Sequence, residues 1–98
     1  MLDLVREYSN TIKNGRTTFN ILNHLKGEVT ELEEELNGAN GTDGVIGESV
    51  DVLLCVLDII CLEQPNITAD ELNIIVLKKL NKWKRRYSNS VEGDRTID

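Results

Sequence analysis

Apolar residues recur along the chain at intervals of three and four, the repeat expected of helices with one covered face. Leu2, Val5 and Ile12 mark a short first helix over residues 2–13, which Asn14-Gly15 ends. Thr17 or Thr18 caps a second helix running to about Leu36, with Leu22, Leu25, Val29, Leu32 and Leu36 as its core positions. The run Asn37-Gly-Ala-Asn-Gly-Thr-Asp-Gly44 is a loop. It lacks the alternating oxygen ligands of a calcium loop. A third helix, Val45 to Leu62, is apolar nearly all round and is expected to be the central, buried one. Gln64-Pro65-Asn66 is a turn. Thr68-Ala-Asp-Glu71 then reads as a capping box that opens a fourth helix to about Tyr87. Leu72, Val76, Leu80, Trp83 and Tyr87 form that helix's apolar stripe. Beyond Tyr87 no period survives, so residues 88–98 are expected to be a tail. The pattern describes a single all-α domain over residues 1–87, a four-helix bundle-like fold.

The polar exceptions on the two middle helices carry the chemistry. Glu28 and Glu31 are spaced i, i+3 on the second helix, and Glu48 and Asp51 are spaced alike on the third. Residues so spaced share a helix face, and two such helices packed antiparallel would bring four carboxylates to one point. Taking about 100° per residue, Glu28, Glu31 and Glu35 form a stripe beside the apolar centre of the second helix. His24 falls on that stripe and Asn20 lies close to it. On the third helix Glu48, Asp51, Cys55 and Asp58 follow spacings of three, four and three. Carboxylates on so apolar a helix need partners or a cation. Asp58, one turn beyond the others, is read as a supporting or structural acid. His24 is read as a partly exposed residue at the mouth of the site, and Trp83 as a packing residue.

Charge sharpens the picture. The chain has 98 residues and a formal net charge of −6, which argues against general nucleic-acid affinity. No Lys or Arg lies between Gly27 and Leu77, where twelve of the seventeen acids fall. Six cations then crowd into Lys78–Arg86. An acidic middle suits a metal and a basic last helix suits a polyphosphate, although solvated acids and a cation-rich helix end also follow the helix dipole. Cys55 and Cys61 stand i, i+6 on one helix and cannot bridge each other there, so two buried thiols in a reducing compartment are expected. Met1 is followed by Asp3 and Arg6 instead of an apolar run, and Val50–Leu62 is too short and too acidic to span a bilayer. A cytoplasmic protein without membrane association is the expectation.

The combination Gly27-Glu-Val-Thr-Glu-Leu-x-Glu34, Glu48-Ser-Val-Asp-Val-Leu and Lys79-Leu-Asn-Lys-Trp-Lys-Arg-Arg-Tyr87 resembles the MazG-like nucleoside triphosphate pyrophosphohydrolases. This all-α superfamily also holds the dimeric dUTPases, dCTP pyrophosphatases and phosphoribosyl-ATP pyrophosphohydrolases. The likeness covers about residues 17–87. Trp83 stands where many relatives have Asn, and Thr30 where they have Gly. The resemblance implies an enzyme that cleaves an NTP or dNTP to the monophosphate and pyrophosphate with Mg²⁺, or with Mn²⁺ in its place. Glu28, Glu31, Glu48 and Asp51 would be the metal ligands, with Glu28 as the general base. Lys79, Arg86 and Asn20 would contact the nucleotide. It also implies a fold completed as a homodimer or homotetramer. No Walker-type Gly-rich lysine loop is present, so metal and side chains must hold the phosphates. The alternative from a different class is a non-catalytic acidic helical module that acts by binding or regulating a partner.

Overall fold

The computed structural model describes residues 1–12 and 15–89, and the described residues form four helices and no strand. These are α1 (Leu2–Thr11), α2 (Thr18–Leu36), α3 (Gly44–Glu63) and α4 (Ala69–Asn89). The all-α expectation therefore holds. The chain divides into two compact units, Met1–Asn66 with α1, α2 and α3, and a second from Ile67 onward with α4. None of the described helices is long and apolar enough to cross a membrane.

Local chemistry accounts for the boundaries. Ile12 turns extended and ends α1, short of the bound expected at residue 13. Lys13 and Asn14 lie outside the described residues. Thr17 is extended, and its hydroxyl accepts from the Asn20 backbone N–H at 3.1 Å, capping α2. At the other end of α2 the Gly38 N–H donates to the Glu35 carbonyl and the Ala39 N–H to the Glu34 carbonyl. Gly38 takes a φ of +90°, the left-handed conformation that this helix ending requires. The capping box of α4 forms as expected. The Glu71 N–H donates to Thr68 Oγ1 at 3.1 Å, and the Thr68 N–H returns a bond of the same length to Glu71 Oε1. α4 continues to Asn89, and residues 90–98 of the expected tail lie outside the described residues.

α3 is the hub of the first unit, with α1 and α2 both packed on it. The rotation of α2 departs from the expectation. Ile21 is its buried residue, and Leu25, Glu28, Leu32 and Glu35 are half-buried, whereas Leu22, Val29 and Leu36 are exposed. The inward face of α2 thus includes the acids, and part of its apolar stripe looks out. α3 behaves likewise. Glu48 and Cys55 are buried, with Asp51 and Asp58 half-buried beside them, while Ile46, Val50, Leu53 and Val56 are exposed. α3 is the centre of its unit without being covered all round.

Candidate metal centre

The short loop between α2 and α3 folds the helices into an antiparallel hairpin. Glu31 lies against Glu48, and Glu28 lies near Asp51 and Cys55. One oxygen each from Glu28, Glu31, Glu48 and Asp51 comes within 4.8 Å of the others. The four acids expected to converge do so. Two belong to the same face of α2 and two to the same face of α3, which i, i+3 spacing on paired helices produces.

Their surroundings differ. Glu48 is buried, Glu28 and Asp51 are half-buried, and Glu31 reaches solvent. Glu28 Oε2 and Glu48 Oε2 are buried atoms that receive no hydrogen bond. Unsatisfied carboxylate oxygens are costly in a folded interior. Burial, reinforced by Glu31, Asp51 and Asp43, pushes Glu48 up to about 7. Burial, with Glu31 next to it, also raises Glu28, while the His24 hydrogen bond opposes the rise. That bond joins His24 Nε2 to Glu28 Oε1 at 2.9 Å, the imidazole being largely exposed. Burial also raises the Cys55 thiol, with Glu28 and Asp51 adding to the effect. Cys55 and Cys61 are both buried and free.

An all-oxygen donor set with two orphaned buried oxygens fits a hard divalent cation. Mg²⁺ suits carboxylates that leave positions for water or phosphate oxygens, and Mn²⁺ accepts the same donors. No group in this set favours a soft metal.

A cleft of about 410 Å³ opens beside the quartet, lined by residues of α2 and α3 together with Ile12 and Arg16 from between α1 and α2. Glu28 and Asp51 lie at its acidic end, and Asn20 and His24 are on its rim. Asn20 is therefore placed where a ligand could meet it. Lys79 and Arg86, the other expected contacts, lie on α4 in the second unit.

Arg16, which the sequence pattern did not single out, lines the cleft beside Asp58, and Ser9 joins the two. Asp58 Oδ1 accepts from Ser9 Oγ at 2.7 Å, and Asp58 Oδ2 is ion-paired with Arg16 Nη2. Arg16 Nη1 also donates to Ser9 Oγ at 3.0 Å and to the Ser9 carbonyl at 3.2 Å. Asp58, expected as a supporting or structural acid, is partnered by Arg16 and Ser9. Arg16 lies in a connecting stretch outside any periodic pattern, so its one signal was being a cation close to apolar helices.

Compared with family models, curated proteins and solved structures, the chain matches none.

Proposed function

We propose that this protein is a Mg²⁺-dependent nucleotide pyrophosphohydrolase of the MazG-like kind, cleaving an NTP or dNTP between the α- and β-phosphates. One observation carries the reading: the four carboxylates meet across two helices, and Glu28 and Glu48 each hold a buried oxygen that has no hydrogen-bond partner. The oxygens of Asp58 on the same helix as Glu48 are satisfied by Arg16 and Ser9, whereas Glu28 Oε2 and Glu48 Oε2 have no such partner.

Glu28, Glu31, Glu48 and Asp51 would hold the metal, which supplies neutralisation of the charge that builds on pyrophosphate as it leaves. Glu28 is the residue assigned to the attacking water. His24 fixes its Oε1, leaving Oε2 to accept the water's proton. Asn20 at the cleft rim is assigned to the nucleoside portion. Lys79 and Arg86 of α4 are assigned to the phosphates on the strength of the family resemblance. Free buried thiols suit a reducing compartment, and we place the protein in the cytoplasm.

The second reading, a non-catalytic binding module, accounts for the exposed apolar residues of α2 and α3 but not for the orphaned carboxylates. Pyrophosphate release from a panel of NTPs and dNTPs with Mg²⁺ separates the two. At least one nucleotide should yield pyrophosphate and the monophosphate. Glu48→Ala and Asp51→Ala should each lower the rate by about a hundredfold or more, given that groups merely supporting metal ligands cost roughly 10–100-fold. Orthophosphate as the primary product contradicts the bond assignment, and full activity in both variants removes the site assignment.

A further inference from the structure

The cleft beside the quartet has a second end, and its chemistry differs from the first. Arg16 and Asp58 both line it, with side chains 17% and 18% exposed. Their pairing leaves the cleft with a charged but internally neutralised end. Along α3, Asp51 and Asp58 are seven residues apart, about 10 Å at ~1.5 Å per residue. Between the two ends Ile12, Ile21 and Leu54 supply apolar walls. A cleft of about 410 Å³ lies within the usual range for small-ligand sites, roughly 300–1,000 Å³.

We propose that Arg16 and Asp58 are the specificity-determining pair of this cleft, reading the polar edge of a planar heterocyclic base whose phosphate lies at the acidic quartet. The inference rests on the nucleotide reading above and adds where the base goes and what recognises it. The Ile21 and Leu54 side chains flank the base, so the apolar middle of the cleft takes its faces. The base edge then meets a donor and an acceptor side by side. Three contacts to Ser9 and Asp58 occupy part of the guanidinium's five-donor fork. Asp58 keeps lone pairs beyond the two oxygen contacts it makes. Nucleobases carry adjacent donors and acceptors on their edges, which such a pair complements. Ser9 and the end of α1 hold the fork in place, so little ordering is required when a ligand arrives.

Isothermal titration calorimetry of the full chain with Mg²⁺ tests this, comparing the common nucleoside 5′-monophosphates with ribose 5-phosphate, which lacks the base. At least one nucleotide should bind the wild type about tenfold or more tighter than ribose 5-phosphate, the scale of one good bidentate base contact. Arg16→Lys keeps the charge and the ion pair but loses the planar fork, and Asp58→Asn keeps the shape but loses the charge. Each should reduce the preference to about threefold or less. Ribose 5-phosphate affinity and the melting shift caused by Mg²⁺ should remain at wild-type values. Undiminished base preference in Arg16→Lys overturns the proposal, as does an equal loss of both ligands, which a purely structural latch predicts. Should Asp58→Asn fail to fold, Arg16→Lys alone decides. Wild-type protein that binds both ligands equally also overturns it, while leaving the metal and phosphate site intact. Wild-type protein that binds neither ligand removes the nucleotide reading itself.

Discussion

A carboxyl group buried beside other carboxylates gains by keeping its proton, and in the quartet Glu48 is the clearest case. Its value of about 7 stands above the ordinary 4.5, so the native state binds this proton more tightly than the unfolded chain does. The contribution to stability is fully present below about 4.5 and is lost as pH rises through about 7. Gln imitates the protonated group. Without metal, the melting temperature of wild type should therefore fall relative to Glu48→Gln between about pH 5 and pH 8. Paired melts in EDTA across that range check this, and a constant difference would contradict it. On the proposed reading Mg²⁺ would displace the same proton, so its affinity should rise over the same window. The quartet was legible in the sequence because each half is local: two acids three residues apart on one helix. The Ser9–Arg16–Asp58 cluster was not legible. Its hydroxyl and carboxylate are 49 residues apart, and no spacing rule joins a connecting-stretch Arg to a particular acid.

Helix ends were the most readable elements, because caps depend on a few adjacent residues. The Thr17 cap, the end of α2 at Leu36 and the Thr68–Glu71 box all sit where the sequence puts them. Thr68→Ala should remove the hydroxyl acceptor and destabilise the start of α4 by about 1 kcal/mol. Amide exchange at Glu71 and Leu72, whose N–H groups donate to Thr68, should quicken by roughly fivefold, the rate equivalent of that energy when opening limits protection; unchanged protection would mean the box is dispensable. Helix rotation was less readable, for a physical reason. Periodicity locates the most apolar arc of a helix and assumes that arc faces inward. In α2 the inward arc also carries Glu28 and Glu35, while Leu22, Val29 and Leu36 are exposed. The acidic arc is polar and partly buried together, so the rule that finds a core turns the helix away from it. α3 follows the same logic, with Glu48 buried and Ile46 exposed.

At the scale of the whole molecule, those outward apolar residues and the inward acids make separate demands. Leu22, Val29 and Leu36 on α2, with Ile46, Val50 and Leu53 on α3, are apolar side chains left exposed, and exposed apolar surface gathered into a patch marks an interface. A homodimer or homotetramer is the expected state, and light scattering giving an 11.0 kDa particle at micromolar concentration would refute it. On the proposed metal reading, the acids determine how the fold should respond to a cation. Four carboxylates with oxygens inside 4.8 Å repel one another in the metal-free protein and work against the fold. A cation bound to the native state alone adds RT ln(1 + [L]/Kd), about 2.7 kcal/mol at roughly a hundredfold excess over Kd. Melting temperature should rise with Mg²⁺ in wild type and rise less in Asp51→Asn. In EDTA, Asp51→Asn should melt no lower than wild type, because it removes one repelling charge and keeps the shape. If Asp51 instead served as the anion of a structural ion pair, the signs would reverse: Asn would lower the metal-free melt and Mg²⁺ would change little. Two melts per variant, with EDTA and with Mg²⁺, at a fixed protein concentration so that assembly contributes equally, distinguish a metal centre from an acidic packing defect.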